Sequence, residues 1–289
     1  MQLHFIGVGK MGLPMALHLR AGGAELGVSD LDPARVAVAT GLGLAVAPDL
    51  SRALQQADGV FSSLPHDAAL LEVAVQVATH AQPGSFWVDT STVSPTASAQ
   101  AAQICAAAGV EHLRTTVSGN NQMAQAAQLT VLASGPRTTY DRVLPLLQCW
   151  GPNQFYLGEA EQARLMKLVI NLMIAQTSAM LGEALTLGRK GGLDWHDMWR
   201  VMGASAVASP ILKARSAQLS ERDFSATFTV NQMVKDLDLI LGAASDHQVP
   251  LPQTAMTRQL MDAARAHGDA GADYAAIIKV VERSAGLST

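Results

Sequence analysis

The chain has 289 residues, of which 49% are hydrophobic and 15% are charged, and its formal net charge is −4. This composition argues against a disordered chain, and mild acidity without a run of Lys and Arg argues against a nucleic-acid partner. Two cysteines and eight scattered histidines form neither a disulfide framework nor the close pairs of a metal site. We therefore expect a soluble cytoplasmic protein of one or two domains, with no metal.

Short β-type runs alternate with helical stretches through about residue 155. The first run begins almost at the N-terminus, without the basic region and cleavage site of a signal peptide. Strands are predicted at 3–7, 25–29, 59–64 and 85–90, and helices at 10–20 and 96–109. This alternation predicts an α/β fold with a Rossmann-type, doubly wound parallel sheet.

A glycine pattern follows the first predicted strand. Gly7, Gly9 and Gly12 match G-x-G-x-x-G where the strand passes into a helix. Gly7 allows the tight turn, Gly9 lets the backbone approach phosphates, and Gly12 lets the helix pack against the strand. The helix N-terminus favours a pyrophosphate. A plain strand–turn–helix unit is the alternative.

An acidic residue follows at the end of the second predicted strand. Asp30 lies 18 residues after Gly12, where an acid accepts hydrogen bonds from ribose hydroxyls. The next helix already has a cap in Asp32, which precedes Pro33. Leu31 stands where an NADP site would have arginine. NAD is therefore predicted in preference to NADP.

Strand patterns stop after Gly158. Helical patterns cover 159–190, 195–202 and 230–247, and two more lie near the C-terminus. Gly192 ends the first helix and Asp194 caps the next. The sequence thus predicts an NAD-binding Rossmann domain over 1–157 and an all-helical substrate and dimerisation domain over 158–289. Because a small apolar domain leaves a face to bury, we expect a homodimer or homotetramer.

The first of these helices is unusually apolar. Lys167 and Asn171 are the two polar residues between Leu165 and Ala175, and their spacing places them on one helix face. Polar residues further along favour a buried helix over a membrane span. On spacing alone, both side chains could lie on a solvated stripe, with the lysine reaching water.

Several motifs resemble, in order, those of the β-hydroxyacid dehydrogenases, the 3-hydroxyisobutyrate dehydrogenase family. They are GVGKMGLPM (7–15), DTSTVSP (89–95), TVSGN (116–120), KLVIN (167–171) and VKDLDL (234–239). The resemblance covers nearly the whole chain and implies an NAD-dependent oxidoreductase that acts on small hydroxy acids.

The resemblance also implies which residues hold the cofactor. They are Gly7, Gly9, Lys10, Met11, Gly12, Asp30, Leu64, Pro65, Thr92 and Lys235. Simpler alternatives stay open, because Ser94 and Pro95 could only cap a helix, and Lys235 could form a solvated pair with Asp236.

By the same resemblance, Lys167 and Asn171 form the catalytic pair. An alcohol that is oxidised without a metal must give its hydroxyl proton to a side chain as the hydride leaves. Burial and nearby positive charge lower the pKa of an ammonium group, which suits a lysine base. Asn171 would align Lys167 with the substrate oxygen.

The substrate carboxylate is predicted to bind Ser118 and the backbone N–H groups of Gly119 and Asn120, with a plain turn as the alternative. The chain departs here from the usual pattern of the family. Asn120, Met123 and Ala127 replace glycines, Arg114 replaces a common aspartate, and Glu161 and Ala163 replace glycines before the lysine. We hypothesise a further polar or anionic group on the substrate, facing Asn120 and Arg114.

The leading interpretation is therefore NAD-dependent oxidation of a small 3-hydroxy acid. The alternative among enzymes is reduction of a short aldehyde or keto acid, such as glyoxylate or a semialdehyde. A non-catalytic dinucleotide-binding scaffold is the alternative of another class, and the presence of Lys167 with Asn171 argues against it.

Overall fold

The computed structural model describes residues 1–288, which fall into two compact units. The first unit is Met1–Lys167, and the second begins at Leu168. The last strand ends at Tyr156 and the next helix begins at Gln162. A functional division at residue 157 stays a prediction.

The first unit is built on one eight-stranded sheet with the order β3-β2-β1-β4-β5-β6-β7-β8. The strands are β1 Gln2–Ile6, β2 Glu25–Ser29, β3 Ala45–Val46, β4 Gly59–Ser62, β5 Phe86–Asp89, β6 Glu111–Ser118, β7 Thr130–Ser134 and β8 Asn153–Tyr156. Every neighbouring pair is parallel except β6 with β7. The predicted doubly wound sheet is confirmed, with an antiparallel junction that the sequence patterns did not indicate.

Helices cover both faces of this sheet. They are α1 Gly12–Ala21, α2 Pro33–Gly41, α3 Leu50–Gln56, α4 Asp67–His80, α5 Pro95–Ala107, α6 Asn121–Gln125 and α7 Arg137–Leu147. Side chains alternate along the strands, so that Phe5 and Phe61 enter one core cluster, while Ile6 and Val60 enter the other. Burial on both faces explains why the central strands read as continuous apolar runs.

The second unit is helical. Helix α8 is Gln162–Lys190, and it is followed by α9 Trp195–Ala204, α10 Pro210–Ser220, α11 Val230–Asp246, α12 Pro252–Ala266 and α13 Ile277–Ser284. Gly192 adopts a φ of 84° just after α8, and the Asp194 carboxylate accepts a hydrogen bond from the Asp197 N–H at 2.9 Å, as predicted. Helix α10, which Ser209 caps, was not predicted.

Helix α8 is long and apolar enough to cross a membrane, judged by length and composition alone. A core helix of a soluble protein passes the same test, and 39% of the apolar window of α8 is buried. Length and composition are therefore weak evidence that α8 spans a membrane.

Candidate active site

The glycine loop between β1 and α1 is fixed by close backbone packing at two of its glycines. Gly7 has a φ of 89°, and a Cβ atom there would overlap the carbonyl oxygen of Ser63. A Cβ atom on Gly12 would overlap the carbonyl oxygen of Gly7. These two positions require glycine for the fold itself.

Gly9 differs from its neighbours because no backbone atom lies close to its missing side chain. A Cβ atom there would meet only the Arg35 guanidinium, whose Cζ would be 3.6 Å away. The loop backbone is thus open at Gly9, as the approach of a pyrophosphate requires. Arg35 was not predicted as a site residue from the sequence. Its position in the first turn of α2, soon after Asp30, could have indicated it.

Asp30 lies beside this loop at the carboxyl end of β2. Its two carboxylate oxygens accept hydrogen bonds from the Val8 N–H at 2.8 Å and the Asp32 N–H at 2.9 Å. Asp32 caps α2 through the Ala34 N–H, as predicted. The Leu31 side chain is 99% exposed. Asp30 is therefore held by the glycine loop, with lone pairs left on each oxygen for a ligand.

The ends of β4 and β5 meet the glycine loop at the same sheet edge. The Leu64 N–H donates to the Ser91 hydroxyl at 2.7 Å, and Leu64 Cδ2 lies 3.7 Å from the Cβ position of Gly7. Ser94 caps α5 through the Ala97 N–H and also donates to Asp67 at 2.6 Å. The predicted cofactor residues Leu64, Pro65 and Thr92 follow these two strands.

The predicted substrate loop begins where β6 ends at Ser118. Gly119 has a φ of 140°, and a Cβ atom there would lie 2.7 Å from Leu129 Cδ2. The Asn120 side chain accepts a hydrogen bond from the Met123 N–H at 2.9 Å and so caps α6. Asn121 donates to the carbonyl oxygen of Lys10. The substrate loop therefore contacts the glycine loop, while the side-chain Oδ1 atom of Asn120 caps α6.

Lys167 lies at this loop. Its Nζ atom donates a hydrogen bond to the carbonyl oxygen of Val117 at 2.8 Å. Val117 precedes Ser118 directly, so the ammonium group lies next to the loop predicted to hold the substrate carboxylate. Within the first unit, the glycine loop, the substrate loop and Lys167 are thus linked by direct contacts.

Asn171 and Lys235 share a partner within the second unit. The buried Asn171 amide donates to Asp236 Oδ2 at 2.5 Å, and Lys235 Nζ lies 3.1 Å from Asp236 Oδ1. Asp236 is only 1% exposed, whereas the Lys235 side chain is 36% exposed, so the charge pair is present but only its lysine reaches solvent. The proposed alignment of substrate by Asn171 stays a prediction.

Arg114 is paired inside the protein, which argues against the hypothesis that it faces an anionic group of the substrate. Its guanidinium lies 2.6 Å from Glu161 Oε1 and is only 10% exposed, because the side chain is covered where β6 meets the segment before α8. The neighbouring His112 is buried, and burial, followed by the charges of Arg114 and Arg164, holds its pKa well below the usual value. The imidazole is therefore neutral.

Comparisons with known proteins agree with this architecture. The family model for the NAD binding domain of 6-phosphogluconate dehydrogenase matches residues 2–158, and that for the NAD-binding region of NADP-dependent 3-hydroxyisobutyrate dehydrogenase matches 162–281. The chain is 32% identical to 2-(hydroxymethyl)glutarate dehydrogenase of Eubacterium barkeri, over 99% of this chain and 97% of that protein. The chain belongs to the 3-hydroxyisobutyrate dehydrogenase family.

The similarity to two further proteins also extends over nearly the whole chain. Glyoxylate/succinic semialdehyde reductase 2 of Arabidopsis thaliana is 27% identical over 96% of this chain and 78% of that protein. The structure of Mycobacterium tuberculosis 3-hydroxyisobutyrate dehydrogenase with L-serine superposes with a TM-score of 0.88, at 24% identity, over 97% of this chain and 98% of that one. The predictions of family, fold and oxidoreductase activity with a nicotinamide dinucleotide are confirmed.

Proposed function

We propose that this member of the family transfers hydride between NAD and a small 3-hydroxy acid, with Lys167 as general acid and base. The observation that carries this proposal is the 2.8 Å hydrogen bond from Lys167 Nζ to the Val117 carbonyl oxygen. It places a proton donor and acceptor beside the loop of Ser118 and Gly119. A proton-transfer group must lie within hydrogen-bond reach of the substrate oxygen, and this loop is where the substrate would bind.

Each part of the site then has a chemical task. The bound nicotinamide supplies the hydride acceptor. Lys167 takes the hydroxyl proton in oxidation and returns it in reduction, and Asn171 aligns the substrate oxygen. Ser118 and the backbone N–H groups of Gly119 and Asn120 hold the carboxylate without a charged side chain. The fixed backbone at Gly119 preorganises these donors, which limits the entropy lost on binding.

For the cofactor we propose NAD, held by the glycine loop and by the strand-end residues Asp30, Leu64, Pro65 and Thr92, together with Lys235. The Asp30 carboxylate has lone pairs available for ribose hydroxyls and would repel a 2′-phosphate. Arg35, whose guanidinium lies across Gly9, is a candidate contact for the pyrophosphate.

For the substrate we propose a 3-hydroxy acid that carries its hydroxyl on a CH₂ group next to the carboxylate-bearing carbon. The name of the Eubacterium barkeri relative describes such a compound, which has a second carboxylate as well. The second candidate is reduction of a short aldehyde or keto acid by NADH, such as the glyoxylate or succinic semialdehyde named for the Arabidopsis relative. A non-catalytic scaffold would need no lysine beside Val117.

NADH fluorescence over a substrate panel tests the proposal. The panel contains 2-(hydroxymethyl)glutarate, 3-hydroxyisobutyrate and L-serine with NAD, and glyoxylate and succinic semialdehyde with NADH. We expect turnover of at least one hydroxymethyl acid with NAD, with a higher kcat/KM than for the reduction of either carbonyl compound by NADH. Tight NADH binding without turnover of any member would instead favour the scaffold.

We also propose that the protein is a cytoplasmic homodimer or homotetramer. Exposed apolar side chains recur every seven residues along α8, at Met166, Met173, Met180 and Leu187. Seven residues are close to two helical turns, so these side chains form one stripe suited to a partner helix. A second copy of the chain offers the same stripe in return.

A further inference from the structure

The first turn of α8 contains a second basic residue, which is buried completely. The Arg164 side chain is 0% exposed and lies three residues before Lys167. Its three nitrogen atoms donate to three separate places: Nη2 to Asp89 Oδ2 at 2.5 Å, Nη1 to the Ser91 carbonyl oxygen at 2.6 Å, and Nε to the Ser98 hydroxyl at 3.1 Å. One side chain therefore fixes the first turn of α8, which belongs to the first unit, to β5, to the loop after β5 and to α5.

The Asp89 carboxylate extends this network to the cofactor loop. Its Oδ1 atom accepts hydrogen bonds from the Ser62 hydroxyl at 2.5 Å and from the Ser91 hydroxyl at 2.7 Å. The Ser91 oxygen in turn accepts the Leu64 N–H at 2.7 Å. An unbroken chain of hydrogen bonds thus runs from Arg164 to the backbone of Leu64, which we propose contacts the cofactor.

The same helix turn is held from its other side by β6 and β7. The Thr116 hydroxyl donates to the Ala163 carbonyl oxygen at 3.1 Å, and the Ala163 N–H donates to the Ser134 hydroxyl at 3.0 Å. These contacts restrain the position of the first turn of α8, and the Arg164 guanidinium restrains the rotation of that turn relative to the β5 loop. Lys167 lies one turn further along the helix, so the contacts of Ala163 and Arg164 also restrain its position.

A buried ion pair is a weak source of stability, because the cost of desolvating two charges offsets most of their attraction. The planar guanidinium of Arg164, by contrast, orients the groups around it, since it donates at fixed angles to several acceptors. We infer that Arg164 is a positioning residue, which through Asp89 and Ser91 sets the Leu64 loop at the correct distance from Lys167. This inference rests on the proposed function and adds a residue to it.

Two variants test this role. Asp89→Asn with Arg164→Gln removes both charges together, because removing Arg164 alone leaves a buried carboxylate without its partner and would destabilise the fold. Ser91→Ala keeps the ion pair and removes the hydroxyl that links the Asp89 carboxylate to the Leu64 N–H. The matched control is Arg215→Gln with Asp273→Asn, which removes an ion pair of the second unit whose aspartate is also fully buried.

The first measurement is hydrogen exchange in peptides containing Leu64 and Ser91, and the second is NADH titration by fluorescence. In both test variants we expect faster exchange at Leu64 and a dissociation constant raised about tenfold, while the control pair changes neither. In the double variant, kcat at saturating NAD should also fall by up to about 10²-fold, since small displacements of reacting groups have effects of that size.

Wild-type exchange and NADH affinity in folded Ser91→Ala would overturn the inference, even if the double variant failed to fold. If the proposed function is wrong, the measurements on the unaltered protein give a different result. The unaltered protein would then bind no NADH or turn over no substrate, whereas the exchange measurement would still report whether Arg164 restrains Leu64.

Discussion

Arg114 and Glu161 form an ion pair, with 2.6 Å between Nη2 and Oε1 and side chains that are 10% and 18% exposed. They stand where the family commonly has aspartate and glycine. The two departures from the usual pattern therefore belong together, and they join β6 to the segment before α8. We therefore expect neither side chain to supply a charge to the substrate.

This pairing predicts that Arg114→Ala changes stability and leaves specificity unaltered. Removing one partner leaves the Glu161 carboxylate largely buried, which should lower the free energy of unfolding by about 3 kcal/mol. Urea denaturation measures that loss, and kcat/KM for two hydroxy acids, with one and two carboxylates, measures specificity. A selective loss of activity on the dicarboxylate would show that Arg114 does reach the substrate.

The glycine loop predicts opposite results for two substitutions three residues apart. Gly12→Ala should destabilise the first unit, because its Cβ atom would overlap the Gly7 carbonyl oxygen. Gly9→Ala should fold normally, since its Cβ atom meets only the Arg35 side chain at 3.6 Å, yet it should weaken NADH binding by roughly tenfold or more. Thermal denaturation and NADH titration of both variants separate the two effects. Equal NADH affinity in Gly9→Ala and the unaltered protein would place the pyrophosphate elsewhere.

The position of Asp30 predicts cofactor preference. We expect a higher kcat/KM with NAD than with NADP, because the carboxylate suits two ribose hydroxyls and repels a phosphate. Asp30→Ala with Leu31→Arg should shift the preference toward NADP, since the exposed Leu31 position can present a guanidinium to the 2′-phosphate. Initial rates with each cofactor at equal concentration provide the measurement. Faster turnover with NADP in the unaltered protein would reverse the assignment.

The apolar stripe on α8 predicts the oligomeric state. Met173 and Met180 are 64% and 56% exposed, and a charge at either position should oppose burial against a partner. We expect light scattering to give a dimer or tetramer for the unaltered protein and a smaller species for Met173→Glu with Met180→Glu. Met256→Glu, at an equally exposed methionine of α12, is the control. A stable monomer for the unaltered protein would contradict the prediction.

Local sequence patterns were sufficient to predict the parts of the site that depend on backbone geometry. The turn at Gly7, the strand end at Asp30 and the caps at Asp32 and Asp194 each follow from residues a few positions apart. Such features have characteristic residue types because one backbone conformation or one unpaired N–H group requires them.

The missed features depend on residues that are distant in sequence. Arg114 and Glu161 are 47 positions apart, and Arg164 and Asp89 are 75 apart. Sequence periodicity indicates that a residue is buried, and it contains no information on which distant charge is its partner. The capping role of the Asn120 side chain was missed for a related reason, since it depends on the five-residue helix α6, which no periodic pattern reveals.

Lys167 is the residue that we propose transfers the substrate proton. Lys167→Ala should bind NADH normally, because the glycine loop and Asp30 do not depend on it. Its kcat should fall by about 10²-fold or more, the usual contribution of a positioned acid or base. Lys167→Arg should not restore activity, since a guanidinium keeps its proton at any working pH. Lys190→Ala, an exposed lysine on the same helix, is the control.

Steady-state kinetics of Lys167→Ala with a substrate from the panel, alongside NADH titration, test this claim most directly. If Lys167 transfers the proton, the NADH dissociation constant is unchanged and kcat falls by about 10²-fold or more. A near-normal kcat in a correctly folded Lys167→Ala protein would contradict it, and the proton acceptor would then have to be another group.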